Sequence, residues 1–541
     1  MDFHFASAWE VVSDTYPNRT ATIADGRALA WRDFERRASS VAGLLDAYGI
    51  KAGSKVGLYL HNSSEYQEAQ FGVFKVDACP INVNYRYKAD ELVYLLNNSD
   101  AEALVFQSCY AMRIWEIKDR LPNVKLLVQV DDGTETLLKG AVDYERGIRD
   151  NAPLARQQRD PNSIYMLYTG GTTGMPKGVM YPQGGFAQLL IGMGAAGREL
   201  LPPENLADYQ RFLEQIEAPP VSLPACPLMH GTGVWLGSFL PMSLGGTVVT
   251  TSKLGLNPDL LLGLVEDHRV SDIVIVGDAF ARPILDALDF VERRGTPYNL
   301  DSLRQITSGG VMWSQEVKQG LLRHQDLILA DLMGSTEGSM GSSVTTRDDV
   351  RGTAKFDMAE GVKVVTDDGR FVTPGSGEMG KIATSGFVPL GYYKDPEKSA
   401  ETFQEIDGVR YSLPGDYATI EADGTITLLG RGSVCINTGG EKVFPEEVEE
   451  AVKRHVDVED CLVVGVPDER FGERIVAVTS ARDELSLNND DLMAFTADHL
   501  AGYKQPRQIV QVETVRRAPN GKADYKWAKA CALKAVAAGT S

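Results

Sequence analysis

The chain has 541 residues, of which 43% are hydrophobic and 24% charged, which is the composition of a soluble globular protein with more than one domain. An excess of 74 acidic over 54 basic residues gives a net charge of −20, which disfavours a general role on nucleic acid or anionic lipid. We expect a cytoplasmic protein, because no apolar run reaches the length of a membrane span and the N-terminus lacks the features of a signal peptide.

The first part of the chain alternates short β-rich runs with helical patterns, which predicts an α/β fold. Apolar side chains at three- and four-residue intervals between residues 34 and 48 predict a helix packed on a sheet. Buried strands are predicted at residues 55–60, 103–106, 125–128, 247–250 and 272–276.

Residues 168–178 predict a loop that binds a polyphosphate. Glycines allow backbone N–H groups to approach an anion closely, threonine hydroxyls add donors, and Lys177 adds a positive charge. The order differs from that of a Walker loop, because Pro176 precedes the lysine and no Gly-Lys-Ser/Thr follows. The candidate phosphate ligands are Thr169, Gly170, Gly171, Thr172, Thr173, Gly174 and Lys177.

The next segment allows two interpretations. Residues 198–222 contain a helical, acidic stretch between two Pro-Pro pairs. This segment either shapes a substrate entrance or is a solvated insertion, and the second interpretation is the favoured one.

The character of the sequence changes from about residue 350 to short strands and Gly-rich turns, which predicts a small β subdomain. A second module follows, with a helix that begins at Pro445 and carries acidic residues in its first turn. Strands at residues 461–466 and 475–479 belong to this module. We therefore expect an N-terminal domain of residues 1–430 and a C-terminal domain of residues 431–541.

The cysteines and histidines disfavour two common kinds of site. The six cysteines are scattered without a Cys-x-x-Cys pair, so neither a disulfide framework nor a zinc site is indicated. The seven histidines form no His-Glu-x-x-His pattern, and the Gly-x-Ser-x-Gly elbow of serine hydrolases is missing. A catalytic zinc ion and a serine nucleophile are therefore not expected.

The phosphate-loop run is similar to the signature of adenylate-forming enzymes, the ANL superfamily of acyl-CoA synthetases, aryl-CoA ligases, amino-acid adenylation domains and beetle luciferases. The resemblance covers almost the whole chain, since residues 334–337, 415–416, 430–431 and 519–522 carry further family motifs in the family's order. It implies a large N-terminal AMP-binding domain of stacked α/β subdomains with a small β subdomain. A small, mobile α+β lid domain follows in the family.

The resemblance implies an enzyme that joins a carboxylic acid to AMP. A carboxylate resists nucleophilic attack, and the AMP ester supplies a stable leaving group. Two anions must meet in such a site, which requires Mg²⁺, a lysine and many neutral donors. By resemblance Lys522 bridges the acyl carboxylate and the α-phosphate, Glu337 coordinates Mg²⁺, and Thr336 contacts the α-phosphate.

The remaining nucleotide contacts are also carried over from the family. Asp416 matches the aspartate that accepts hydrogen bonds from the ribose hydroxyls, and Arg431 matches an arginine that reaches the ribose. Met333 departs from the family, in which many members place an aromatic residue against the adenine, although a thioether also packs on a ring. The residues expected around the adenine are Ser308, Gly309, Gly310, Met333, Gly334 and Ser335.

The acyl pocket is expected at His230, Gly231, Gly233 and Asp278, where the glycines leave room for a long or bulky apolar acid. Amino-acid adenylation domains place an aspartate soon after the position of His230, and this chain has none there. The family hinge falls on Ser433, where Asp or Lys is usual. The pantetheine tunnel of the family falls on Gly439 and Gly440.

Residues 277–283 and 432–434 look like a bacterial subgroup of fatty-acid and steroid side-chain acyl-CoA synthetases. The expected activity is ATP-dependent formation of an acyl-AMP from a hydrophobic acid, followed by transfer to CoA. The alternatives are an aryl-acid ligase, an acyl-AMP ligase that loads a carrier protein, and a non-catalytic nucleotide- or acyl-binding pseudoenzyme. The expected partners are the acid, ATP and CoA, without nucleic acid or a membrane-spanning segment, and a homodimer is one expectation for assembly.

Overall fold

The computed structural model describes residues 3–169, 175–349, 352–438, 441–468, 471–482, 487–518 and 521–537. Helices and parallel strands alternate in the first part of the chain, a β-rich subdomain follows, and a smaller α+β domain ends it. The predicted α/β class is therefore confirmed. None of the helices within these ranges has the length and apolar character that a bilayer crossing requires.

The first layer contains a parallel sheet of strands β4-β3-β5-β6-β7. Helix α2 shows why the sequence pattern was informative, because Phe34, Ala38, Val41 and Leu45 form its buried face. The pattern was wrong at Tyr48, which lies after the end of the helix and is exposed. The elements are α1 Phe5–Thr15, β1 Thr20–Ala24, β2 Arg27–Ala30, α2 Trp31–Ala47, β3 Lys55–Tyr59, α3 Ser64–Lys75, β4 Cys79–Asn82, α4 Ala89–Asn98, β5 Ala101–Gln107, α5 Ala111–Ile117, β6 Leu126–Val130, β7 Val142–Asp143 and α6 Tyr144–Asp150.

The second layer is built on parallel strands in the order β1-β11-β10-β12-β13-β14, and an antiparallel sheet β19-β9-β8 lies beside it. Its elements are β8 Ile164–Thr169, β9 Lys177–Pro182, α7 Gln183–Ala196, α8 Leu206–Glu214, β10 Val221–Pro224, the π-helix Thr232–Phe239, α9 Leu240–Met242, β11 Thr247–Thr250, α10 Pro258–His268, β12 Asp272–Ile275, α11 Asp278–Arg293, β13 Gln305–Gly309, α12 Gln315–His324 and β14 Ile328–Ser335. The five strands predicted from apolar runs are all present, with ends that differ by no more than about two residues.

The β subdomain continues the second sheet through β14-β15-β16-β23-β22-β18, so the two parts share one hydrogen-bonded path. This continuity places the end of β14 beside the turn-rich subdomain. The elements are β15 Gly338–Thr345, β16 Lys355–Met358, β17 Val362–Val365, β18 Met379–Thr384, β19 Gly391–Tyr392, α13 Pro396–Thr402, β20 Phe403–Ile406, β21 Val409–Ser412, β22 Asp416–Ile420 and β23 Ile426–Arg431.

The C-terminal domain has a sheet of order β25-β24-β27-β26, with β28 parallel to β27. Helix α14 begins at Pro445, as predicted, and the chain passes from the N-terminal sheet to the lid sheet between Arg431 and Ile436. The elements are β24 Ile436–Thr438, β25 Glu441–Val443, α14 Pro445–Lys453, β26 Val458–Asp468, β27 Gly472–Ala481, α15 Asn489–His499, β28 Gln508–Gln511 and α16 Tyr525–Ala537. The 3₁₀ turns are Ser108–Tyr110, Lys118–Arg120 and Gly432–Val434.

The segment 198–222 is not a solvated insertion, so the favoured interpretation of it was wrong. Its helix α8 buries Tyr209, Phe212 and Leu213 in the main core, and the ring of Tyr209 meets that of Phe3 edge to face at 5.7 Å. The acidic residues of α8 occupy its outer face, which is why the composition alone suggested exposure.

Candidate active site

A cavity of about 890 Å³ lies at the carboxyl ends of β13 and β14, between the second layer, the β subdomain and the lid. Open α/β sheets bind ligands at this edge, because helix and loop starts leave unpaired donors there. Many of the residues predicted from separate motifs line this one cavity. These residues are Thr169, His230, Gly231, Gly309, Gly310, Met333, Gly334, Ser335, Thr336 and Lys522.

Thr336 and Glu337 form the turn of the β14–β15 hairpin, in which Ser335 pairs with Gly338. The Glu337 N–H donates to Ser335 Oγ at 3.1 Å, and Tyr181 Oη donates to the carbonyl of Thr336 at 2.7 Å. The turn is thereby held so that the Glu337 carboxylate lies beside the cavity. An oriented carboxylate of this kind fits a hard cation such as Mg²⁺.

Asp416 and Arg431 face each other across the β22–β23 pair. Arg431 Nε donates to Asp416 Oδ1 at 3.2 Å. The other carboxylate oxygen, Oδ2, is buried and has no hydrogen-bond partner among the described residues. Because an unsatisfied buried oxygen is costly, this atom suits an incoming donor such as a ribose hydroxyl.

Lys522 reaches the cavity from the lid. Its side chain faces the open space of the cavity, but the surrounding protein shields it from bulk water. This desolvation lowers the pKa of Lys522, and the Arg431 charge lowers it further. Glu337 and Asp416 raise the same pKa, so all three charges lie within electrostatic reach of the lysine. The structure therefore has the lid docked with Lys522 in the site.

The loop that carries Lys522 is anchored at both sides. Arg517 donates to both carboxylate oxygens of Asp460 on β26, at 2.6 and 2.7 Å, and to the carbonyl of Gly521 at 3.1 Å. Gly521 has φ +72°, and a Cβ there would lie 3.1 Å from the Cβ of Ala279 on the N-terminal domain. A side chain at position 521 would therefore disturb the docking of the lid.

Lys177, at the start of β9, pairs with Asp395 at 2.7 Å and lies 5.4 Å from the centre of the Tyr392 ring. Strand β19, which contains Tyr392, is hydrogen-bonded to β9. The phosphate-loop residues Gly170, Gly171, Thr172, Thr173 and Gly174 lie outside the described residues. Lys177, which follows this loop in the sequence, is among the described residues.

His230 lines the cavity at the end of a segment that enters the π-helix. Burial lowers the pKa of His230 to about 3, and the Lys522 charge contributes. Its Nε2 is buried without a hydrogen-bond partner among the described residues, so the neutral ring presents an unused polar atom. Gly231 also lines the cavity, and a Cβ there would lie 3.2 Å from the Trp235 ring, so the glycine allows that ring to pack closely against the backbone.

Gly233 and Asp278 are placed differently from the acyl pocket expected in the sequence. A Cβ at Gly233 would lie 2.4 Å from the Pro227 carbonyl, so this glycine permits close packing and does not line the cavity. Asp278 lines a separate cavity of about 1120 Å³ between the N-terminal domain and the lid. There it accepts a hydrogen bond from the Ser314 N–H at 3.0 Å, and burial raises its pKa.

Three further predicted residues concern support and domain movement. Ser308 is buried beneath the cavity and accepts a hydrogen bond from the Gly277 N–H at 2.9 Å. Ser433 lies in the 3₁₀ turn directly after Arg431, between the two domains. Gly439 and Gly440 lie outside the described residues.

Several residues that shape this site were not predicted from the sequence. Tyr181, Tyr392 and Asp395 hold the hairpin turn and Lys177, and no spacing pattern relates them to those partners. The apolar wall was also missed, although the many apolar residues of α7 were a usable signal of burial on more than one side. That wall consists of Phe186, Leu189, Leu190, Met193, Trp235 and Leu236.

Comparison with known proteins agrees with this architecture. Residues 9–393 match the family described as AMP-binding enzyme, and residues 447–522 match its C-terminal domain. The chain is 42% identical to a 3-oxocholest-4-en-26-oate–CoA ligase of Rhodococcus rhodochrous, over 98% of this chain and 96% of that protein. It is 40% identical to a medium/long-chain-fatty-acid–CoA/3-oxocholest-4-en-26-oate–CoA ligase of Mycolicibacterium smegmatis, with the same coverage of 98% and 96%.

A solved structure of the anthranilate CoA ligase AuaEII with anthranoyl-AMP has the same fold, with a TM-score of 0.83 at 22% identity, and the match covers 99% of this chain and 98% of that one. The residues matched by the two family models include most of the cavity lining, the hairpin turn of Glu337, and Lys522. The chain therefore belongs to the AMP-binding enzyme family, the adenylate-forming group that its motifs indicate.

Proposed function

We propose that the protein activates a hydrophobic carboxylic acid with ATP and transfers the acyl group to CoA. It is an AMP-forming acid–thiol ligase, an acyl-CoA synthetase. The observation that carries the proposal is that an apolar wall and Lys522 line one cavity, while Glu337, Asp416 and Arg431 lie within electrostatic reach of this lysine. Full-length relatives at 42% and 40% identity that are named as CoA ligases support it.

The reaction needs two displacements. A carboxylate oxygen of the acid attacks the α-phosphorus of ATP, the bond from that phosphorus to the bridging oxygen breaks, and pyrophosphate leaves. The CoA thiol then releases its proton to solvent, its sulfur attacks the carbonyl carbon of the acyl-AMP, the bond from that carbon to the phosphate oxygen breaks, and AMP leaves. Each displacement brings an anion toward an anion, so fixed positive charge and fixed donors lower both barriers.

The site residues suit the first displacement. Lys522 can bridge the carboxylate and the α-phosphate, because it lines the cavity within electrostatic reach of His230 and Glu337. Asp416 offers its unpartnered oxygen to the ribose. Glu337 would hold Mg²⁺, which supplies charge neutralisation on the phosphates when bound.

The acid is proposed to be a steroid side-chain acid, with medium- and long-chain fatty acids as further substrates. The relatives carry these substrates in their names, and one of them carries both. The cavity volume of about 890 Å³ is at the upper end of ordinary ligand pockets, which agrees with a large apolar acid. The cytoplasmic location and the homodimer expected from the sequence stay predictions.

Product analysis by mass spectrometry tests this function. Purified protein is given ATP, Mg²⁺ and one acid at a time from a panel of steroid, fatty and aromatic acids, with and without CoA. We expect acyl-AMP without CoA, and acyl-CoA with AMP when CoA is present. Lys522→Ala serves as the control, because it removes the bridging charge and should form both products from ATP more slowly, on the order of 100-fold or more.

Each other outcome has a distinct meaning. Acyl-AMP that never becomes a thioester would indicate a carrier protein as the acceptor. No turnover of ATP with any acid would contradict the enzymatic proposal and favour a binding protein.

A further inference from the structure

Asn82, the last residue of β4, makes three short hydrogen bonds at the edge of the cavity. Its Nδ2 donates to the carbonyl of Tyr168 at 2.8 Å and to the carbonyl of Met229 at 2.7 Å. Its Oδ1 accepts from the Tyr168 N–H at 2.7 Å. Asn82 is 8% exposed, so these bonds are made away from bulk water.

The two backbone partners of Asn82 belong to different parts of the site. Tyr168 lies near the end of β8, directly before the phosphate-loop sequence. Met229 directly precedes His230 of the apolar cavity. One primary amide therefore connects the strand that leads to the nucleotide phosphates with the wall that meets the acid.

An amide is required for this arrangement. Asn presents one acceptor and two donors, and here it satisfies the N–H and the carbonyl of Tyr168 together with the carbonyl of Met229. An aspartate would place an anionic oxygen against two carbonyls, and an alanine would leave three backbone groups unpaired. The three bonds therefore fix the position of Tyr168 relative to that of Met229 through one planar amide.

We propose that Asn82 is a positioning residue for adenylation, which couples ATP binding at the phosphate loop to acid binding at the His230 wall. The inference rests on the proposed acyl-CoA synthetase function. It predicts that each of the two substrates strengthens the binding of the other, and that this mutual effect passes through Asn82. By reciprocity of binding free energies, the effect must be equal whichever substrate is added first.

The chain offers a matched control in Asn62. Asn62 Nδ2 donates to the carbonyl of Cys226 at 3.1 Å, and its Oδ1 accepts from the Leu228 N–H at 2.8 Å. It therefore holds the same segment that leads to His230, with the same chemistry. No hydrogen bond of Asn62 reaches Tyr168, and Asn62 lines the other cavity.

Calorimetry measures the dissociation constant of the acid with and without an ATP analogue whose α,β-bridging oxygen is replaced by a methylene group, so that pyrophosphate cannot leave. The proteins compared are wild type, Asn82→Ala and Asn62→Ala. In Asn82→Ala we expect the ratio of the two constants to fall by about three- to tenfold toward one, as expected for the loss of buried hydrogen bonds. In Asn62→Ala we expect a lower melting temperature and an unchanged ratio. The KM for the acid should rise in Asn82→Ala by a factor similar to the loss of the ratio.

An equal ratio in wild type and Asn82→Ala would overturn the inference, as would an equal loss of the ratio in both variants, which would show a merely structural role. If Asn82→Ala does not fold, Asn82→Ser retains one donor or acceptor and supplies the same comparison. Failure of the proposed function is distinguishable, because wild type would then form no acyl-AMP with any acid.

Discussion

The hydroxyl of Tyr392 donates a 2.9 Å hydrogen bond to Oε1 of Glu337. The ring of the same tyrosine lies 5.4 Å from Lys177 Nζ, which is itself paired with Asp395. One aromatic side chain thus touches the lysine after the phosphate loop and the carboxylate proposed to hold Mg²⁺. The contact between Tyr392 and Lys177 is possible because β19 pairs with β9, although the two strands are far apart in sequence.

Tyr392→Phe should lower the affinity of the site for Mg²⁺. The substitution removes the hydrogen bond that orients Glu337 and keeps the ring beside Lys177. We expect the Mg²⁺ concentration for half-maximal adenylation to rise about tenfold, as is common when the partner of a metal ligand is lost. Binding of Mn²⁺ and ATP, measured without an acid, should weaken in parallel.

The neighbouring Tyr393 provides the control for this experiment. Its hydroxyl donates to Asp100 at 2.8 Å, on another side of the strand. Tyr393→Phe removes the same group one residue away and should leave the Mg²⁺ dependence unchanged. A similar shift in both variants would contradict the orienting role.

Lys522→Ala should separate the two half-reactions. Adenylation should fall on the order of 100-fold or more, because a charge directed at the developing transition state is lost. Thioester formation from synthetic acyl-AMP and CoA should change much less, since the first displacement is bypassed. The two rates are measured separately by pyrophosphate release and by acyl-CoA formation.

The exposed Lys526, on α16, serves as a control of the same residue type. Lys526→Ala should leave both rates near those of wild type. An equal fall of both half-reactions in Lys522→Ala would indicate a general loss of structure.

The alkaline limit of adenylation should lie below the ordinary pKa of lysine, which is 10.5. In the proposed mechanism Lys522 acts in its protonated form, so we expect activity to be lost as the pH rises through its lowered pKa. Asp416 raises that pKa, and Asp416→Asn should therefore move the alkaline limb to lower pH. The measurement is the pH profile of pyrophosphate release at saturating ATP. An alkaline limb at the same pH in wild type and Asp416→Asn would contradict the electrostatic effect of Asp416 on Lys522.

Glu446→Gln should stabilise the protein most at alkaline pH. Glu446 is the second residue of α14 in the lid, and its Oε2 is buried without a partner among the described residues, close to Gly430 of the N-terminal domain. Burial and the Glu449 charge raise the pKa of Glu446 to about 8, from an ordinary 4.5. The folded protein then binds more protons than the unfolded chain between these values, so stability decreases as the pH rises from about 4.5 to about 8.

In Glu446→Gln this decrease should be smaller, since an amide has no charge to bury. We expect the melting temperature at pH 8 to exceed that of wild type by a few degrees, with little difference near pH 4.5. Glu447→Gln is the control, because Glu447 already pairs with Lys504 at 2.6 Å and should show no such gain. Equal curves for wild type and Glu446→Gln would show that Glu446 is not the group responsible.

The sequence by itself predicted the α/β class, the five buried strands, the helix at Pro445 and the superfamily. These features depend on local patterns. A buried strand is a short apolar run, a helix start is a cap and a first turn, and a phosphate loop is a run of glycines and hydroxyl residues. Motifs at residues 168–178, 334–337, 415–416 and 519–522 were readable for the same reason.

Which residues lie next to one another depends on the tertiary structure. Asp278 follows a buried strand, as an acyl-pocket residue could, yet helix α11 turns it toward the lid. The acidic surface of α8 concealed a buried face that only its packing against α1 reveals. Both outcomes depend on a neighbour that is distant in sequence.

The polar contacts of the site show the same limit. Asn82 and Met229 are 147 residues apart in the sequence, and Tyr392 and Glu337 are 55 residues apart. No sequence spacing therefore predicts either hydrogen bond. A hydrogen bond depends on distances of a few tenths of an ångström, whereas an apolar pattern survives shifts of a residue or two. The sequence therefore determined which chemical groups are present, and only the packing of layers and lid determined which of them meet.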